Sequence, residues 1–178
     1  TLQQGGRAAF IARLVLAATA GASYGIYGPA FELMEHVPRE PGSEEYLNSE
    51  KYEIKRWDVD RADSLRTLIA RLNRIRKENP ALQSDWSLKF HGIDNDRLIC
   101  FSKKEGDNLV LVIVSLDPRY VQSGWTSLDL DELGLSSDQS FQVDDLLGGG
   151  QYAWRGARNY VELNPHALPA HVLRIRAA

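Results

Sequence analysis

The sequence holds one cysteine and one methionine, and a single thiol excludes a disulfide framework. That cysteine, Cys100, lies in the apolar run Leu98-Ile99-Cys100-Phe101, where it is expected to be a small buried hydrophobe in a reducing compartment. A long hydrophobic run is also missing. The stretch from Ala8 to Ala22 is interrupted by Arg13 and Thr19, is shorter than the ~20 residues that span a bilayer, and lacks the flanks of a signal peptide. A soluble, cytoplasmic protein with no membrane partner is expected. Positive charge is not in excess: the net charge is −3, and Arg71, Arg74, Arg76 and Lys77 read as the solvated face of one helix rather than a phosphate-tracking patch, so nucleic acid is not an expected partner. Solenoid repeats and low-complexity segments are absent as well.

Nucleophile and metal patterns are equally scarce. Cys100 stands in no catalytic motif, and His36, His91, His166 and His171 do not stand at metal-ligand spacing, so no metal or cofactor is expected. The three later histidines fall in or beside β segments, where structural roles predominate. Asp94-Asn95-Asp96 opens like a calcium loop but lacks its glycine and terminal glutamate, and reads as a turn. Gly148-Gly149-Gly150 precedes a strand rather than a helix, so it is not a phosphate cradle.

What is present falls into two parts with different periods. Phe10, Ile11, Leu14, Val15 and Ala18 recur at helical spacing. Gly21 to Tyr27 is short, apolar and aromatic and predicts a buried strand, ended by Gly28-Pro29. Glu32, Glu35 and His36 follow on a short helical turn. From Arg61, the residues Leu65, Leu68, Ile69, Leu72 and Ile75 form the cleanest helical stripe, with Asp60 or Asp63 as candidate N-cap and Asn79-Pro80 as the stop. Helix, strand, long loop, helix is the order of the last βα units of a (β/α)8 TIM barrel. Beyond Leu82 the period changes to that of strands: 88–91, 97–103, 109–116, 140–147, 151–154, 158–163 and 170–176, separated by Asp-Asn-Asp, Glu-Gly-Asp, Gly-Gly-Gly and Asn-Pro turns. The fold class is thus α/β followed by all-β. Residues 1–82 are expected to be the C-terminal part of a barrel, and residues 83–178 an antiparallel β-sandwich folding as a unit from about Asp85.

Between the halves lies a polar loop, Pro41 to Asp58, longer than most connections in compact domains. Tyr46, Tyr52 and Trp57 interleave with Glu, Lys, Asn and Ser, a mixture that suits a sugar, whose C–H face stacks and whose hydroxyls pair. Lys51 beside Tyr52 places a cation next to a phenol, a pair suited to an anionic oxygen. The same residues are compatible with a solvated loop pinned by its aromatic rings.

The runs Ala17 to Tyr27, Phe31-Glu32-Leu33, Gly42 to Leu47 and Ser49-Glu50-Lys51-Tyr52-Glu53 resemble the end of the catalytic barrel in the GlgE-type maltosyltransferases of glycoside hydrolase family 13. Arg71 to Arg76 with Asn79 to Leu82 resembles that family's last barrel helix. Asp94 to Asp96, Val114 to Pro118, Gln122 to Trp125 and Trp154 to Val161 resemble its C-terminal β domain. The resemblance implies transfer of maltosyl units from α-maltose 1-phosphate to α-1,4-glucan with retention. It places Lys51 and Tyr52 in contact with the donor. It puts the three catalytic carboxylates upstream of Thr1, and so implies no catalytic residue in this chain, a piece that is inactive alone, the remainder of the barrel as partner, and a homodimeric parent. Another family 13 enzyme, such as a trehalose synthase or amylase, is the nearest alternative. A free-standing glucan-binding β module is the other; it calls for exposed rings among Trp86, Trp125 and Trp154.

Overall fold

A computed structural model describes residues 2–176. Its helices come first: α1 (Leu2–Ala20), α2 (Gly28–Glu32) and α3 (Arg66–Glu78), then a 3-10 turn (Pro80–Gln83). The strands β1 (Lys89–Ile93), β2 (Leu98–Glu105), β3 (Asn108–Ser115) and β4 (Gln122–Ser127) precede a short helix α4 (Leu130–Leu133). β5 (Ser140–Asp145), β6 (Gln151–Arg155), β7 (Tyr160–Leu163) and β8 (Ala170–Arg176) complete the chain.

α1 is broken at Gly6, whose φ of 54° and ψ of −154° are open to glycine almost alone. From there to Ala20, the stripe Phe10, Ile11, Leu14, Val15 and Ala18 is buried, as the period requires. α3 buries Leu72 and Ile75, carries Arg76 and Lys77 in its last turn, where cations complement the helix dipole, and ends at Asn79 before Pro80. Its first turn corrects the sequence. Leu65 stands at the N-cap without a side-chain cap; Asp60 pairs with Arg66 and Asp63 with Arg61 instead.

The expected buried strand at 21–27 is not formed. No ladder partner lies beside it among the described residues, and Tyr27 is 69% exposed. The segment expected to belong to a TIM barrel therefore consists of helices and loops, with no barrel strand among the described residues. The α2 that follows closes with a Schellman arrangement: Glu35 N–H donates to Ala30 O at 2.9 Å and Met34 N–H to Phe31 O at 3.0 Å. Met34 takes the left-handed position, φ 57°, that glycine usually fills.

The β half is antiparallel throughout, in the order β6-β5-β8-β3-β2-β1-β4-β7. The expected sandwich is realised as one bent sheet rather than two separate ones. β1 makes the corner: Lys89 to His91 pair with β2, while Gly92 and Ile93 pair with Ser127 and Thr126 of β4. Seven strands were legible in the sequence, but β4, Gln-Ser-Gly-Trp-Thr-Ser, has no apolar alternation. It is held by its neighbours instead, since Asp94 Oδ1 accepts from Trp125 N–H at 2.6 Å and Gly124 leaves room for that carboxylate. Thus Asp94 to Asp96 is a turn that pins β4.

β3 is buried along its whole length and feeds two cores by its two-residue period. Val110, Val112 and Val114 face α1 and α3, together with Phe101, Ala170 and Val172. Leu109, Leu111 and Ile113 face the other way and meet Phe141, Val143, Val161, Leu163, Leu173 and Ile175, which draws β5 and β7 over a second core. Residues on both sides of position 82 therefore build the first core jointly.

At the end of β5, Asp145 is buried and accepts from His171 Nδ1 at 2.7 Å and from Leu147 N–H at 3.0 Å. Burial pushes its carboxyl up, but His171 and the Gly148 and Leu147 amides outweigh burial and hold it below the usual carboxylate range. A depressed folded pKa adds stability that is complete above the unfolded value of ~3.9 and is lost as pH falls through the folded value. Asp145→Asn is expected to flatten the stability profile below about pH 4. Urea melts between about pH 2 and 7 measure it; a variant whose acid limb has the wild-type slope refutes the assignment.

Candidate functional site

The loop is more ordered than its sequence reads. Arg39 N–H donates to Glu45 O at 2.8 Å and Leu47 N–H to Val37 O at 2.7 Å, around a Pro38–Tyr46 bridge. The turn at its tip uses Gly42 at φ 85°. Tyr52 and Glu53 N–H both donate to Ser49 O, and Ser49 is buried, so the chain folds back over the hairpin.

This folding gathers Arg39, Glu45, Lys51 and Tyr52. Glu45 Oε1 lies 3.6 Å from Lys51 Nζ and its Oε2 lies 3.4 Å from Arg39 Nη1. Arg39 donates to Tyr52 Oη at 2.6 Å, and Tyr52 donates on to Glu45 Oε2 at 3.3 Å. The Arg39 guanidinium is 4.5 Å and the Lys51 ammonium 5.3 Å from the centre of the Tyr52 ring. Desolvation raises the Glu45 pKa, but Lys51 first, then Arg39, Ser49 and Tyr52, bring it below the usual range. The Tyr52 phenol, then the Glu45 carboxylate, raise that of Lys51. Two cations and a phenol thus converge on one carboxylate, Lys51 at Oε1 and Arg39 and Tyr52 at Oε2, here supplied by the protein. Lys51 remains largely exposed, at 69% of its side chain, and open to a second anion.

The structure places the two residues singled out in the sequence, Lys51 and Tyr52, side by side in this cluster. Arg39 and Glu45 were missed: they stand 13 and 7 residues before Tyr52, and only the hairpin makes them neighbours. Further along, Lys55 lies 5.6 Å from the Tyr46 ring and 5.1 Å from that of Trp57. Beside the loop is an open cleft of about 540 Å3 between the start of α1 and Glu35, His36, Ser43, Glu44 and Tyr46.

Several other candidates make contacts within the fold. Glu32 accepts from Ser64 Oγ at 3.0 Å, and its carbonyl accepts from Leu65 N–H at 2.9 Å, which anchors the start of α3. His36 Nδ1 contacts Met34 O at 2.7 Å. His91 Nδ1 accepts from Asp129 N–H, so Nε2 donates to Ser102 Oγ at 2.8 Å; desolvation lowers its pKa. Burial pushes the Cys100 thiol up to about 12, which makes it unreactive. Among the described residues no group of three or more His, Cys, Asp or Glu side chains is placed to hold a metal ion, and no helix is long and apolar enough to cross a membrane.

The fold is shared with part of the chain in solved α-amylase structures. A noncanonic maltogenic α-amylase, AmyB from Thermotoga neapolitana, superposes with a TM-score of 0.64 at 12% identity over 97% of this chain and 37% of that one. A variant of AmyP in complex with maltotriose superposes with a TM-score of 0.67 at 17% identity, over 94% of this chain and 34% of its own.

Sequence similarity is narrower. Residues 90–175 match the family described as "GLGE, C-terminal". Over 98% of its length the chain is 50% identical to the alpha-1,4-glucan:maltose-1-phosphate maltosyltransferase of Chlorobaculum tepidum, and it is 48% identical to maltosyltransferase 1 of Streptomyces coelicolor, again over 98%. The chain is therefore similar to a part of these maltosyltransferases. It spans 27% of the first relative and 26% of the second.

Proposed function

We propose that this chain is the C-terminal portion of a retaining maltosyltransferase, which transfers maltosyl units from α-maltose 1-phosphate to α-1,4-glucan and releases phosphate. One observation carries the donor assignment: Arg39, Lys51 and Tyr52 converge on the Glu45 carboxylate. In this reading the donor phosphate takes up the cationic face that Glu45 partly neutralises, with Lys51 as point charge and Tyr52 as hydrogen-bonding wall. An amylase or a trehalose synthase handles no phosphate and has no use for such a cluster, which favours the transferase.

The reading extends to the whole parent, a cytoplasmic homodimer. Residues 1–82 belong to the barrel and 83–178 to the β domain, docked through the core that they share. The remainder of the barrel would cover the apolar groove of about 360 Å3 formed by Leu14, Leu16, Ala17, Tyr24, Ile26 and Phe31. No catalytic carboxylate is assigned to this chain. The full-length protein with α-maltose 1-phosphate and maltohexaose is expected to release inorganic phosphate and to lengthen the acceptor by two glucose units, whereas the 178-residue chain alone does neither. Phosphate release without acceptor lengthening, or no turnover by the full-length protein, rejects the transferase.

A further inference from the structure

We propose a second carbohydrate site, at the seam where the two free edges of the bent sheet, β6 and β7, approach each other. Resting on the reading above, its occupant is a segment of the α-1,4-glucan polymer. A groove of about 230 Å3 opens there, lined by Tyr152 and Trp154 of β6, Tyr160 and Glu162 of β7, and His171 of β8. It is smaller than the ~300–1,000 Å3 of a drug-sized site and suits a narrow chain crossing it a ring or two at a time.

Its chemistry is that of sugar recognition. Tyr152 is 44% and Tyr160 49% exposed, flat rings that ordinary packing would cover. Trp154 is partly buried, and Phe141, with ring centres 6.5 Å apart and planes at 76°, fixes its orientation. The strip continues past Tyr160 to Trp125, 5.6 Å away edge to face and 44% exposed. Polar groups line the same groove. The buried carboxylate of Asp145 accepts from His171 Nδ1 at 2.7 Å, which leaves Nε2 as the ring nitrogen that no described hydrogen bond engages. Tyr160 Oη donates to Glu162 Oε2 at 3.1 Å and so holds that carboxylate beside the aromatic strip.

No lysine or arginine lines the groove, and a carboxylate there repels phosphates and acidic ligands. A neutral polyhydroxyl chain remains: each α-linked glucose offers a C–H face to the rings and hydroxyls that can pair with His171 Nε2 and the Glu162 carboxylate. The site lies on the face of the sheet opposite α1 and α3, so it is separate from the donor loop. Holding one stretch of a polymer there raises the effective concentration of its other chain ends at a distant active site.

The test uses the full-length protein, native electrophoresis in gels with and without glycogen, and Tyr152→Ala/Tyr160→Ala. Glycogen is expected to retard the wild type, and the double variant should bind it about tenfold or more weakly, since two stacking faces are lost. Its KM for maltohexaose should be unchanged. The single variant Tyr160→Ala, at an exposed position, should lose affinity about threefold and serves if the double variant melts early. Equal retardation of wild type and variants, or no retardation of the wild type, overturns the site. Failure of the wild type to transfer maltosyl units rejects the functional reading instead, and the gel result still decides whether the groove binds glucan.

Discussion

Lys51→Ala in the full-length protein is expected to lower kcat/KM for α-maltose 1-phosphate by roughly ten- to a hundredfold. The magnitude follows from the ~1.5–3 kcal/mol of a hydrogen bond to a charged group, with more lost if the ammonium also meets charge that develops on the departing phosphate. Selectivity distinguishes this from damage to the loop. A maltosyl donor with an uncharged leaving group gains nothing from a cation and should react nearly as well with the variant. Folding should be untouched, because the Lys51 side chain is 69% exposed and Glu45 keeps Arg39 and Tyr52 as partners. Equal losses with both donors would return Lys51 to the role of a surface cation.

The second large effect concerns the shared core. Phe101→Ala should cost about 3–5 kcal/mol, the range for deleting a buried ring, because Phe101 is 1% exposed among residues of α1, α3 and β3. Phe90 provides the control. Its ring is 5.8 Å from that of Phe101 but lies on the surface, 64% exposed, and Phe90→Ala should cost less than about 1 kcal/mol. If the helices only rested on the sheet, Phe101→Ala would release them without lowering the melting of the strands. A single transition shifted by the full amount is expected, seen alike by far-ultraviolet dichroism and tryptophan fluorescence. Two separated transitions would show that the halves fold independently.

Much of the fold was legible because burial imposes periods. The 3.6-residue stripe of α3 and the two-residue alternation of β3 are direct consequences of one-sided and two-sided packing. Where packing does not set the pattern, the sequence misled. Gly21 to Tyr27 has a strand's composition but finds no ladder here, and β4 has a ladder without a strand's composition, since Asp94 and the β1 and β7 backbones hold it in place. The loop shows the same division. The neighbours Lys51 and Tyr52 could be picked out by adjacency, whereas Arg39 and Glu45 join them through a hairpin whose only sequence trace is the Pro-Gly at its tip.

The C-terminal end of α1 depends on partners that the ribosome has not yet made when that helix emerges. The carbonyls of Ala18, Gly21 and Ala22 accept from Arg76, and that of Ala20 accepts at 3.1 Å from the buried Lys103, 83 residues later. At synthesis rates of ~5–20 residues per second, that last carbonyl waits roughly 4–17 s for its donor. Until α3 and the sheet are made, the Phe10, Leu14 and Val15 face lacks the Leu72, Phe101 and Val112 side chains that share its core in the folded chain.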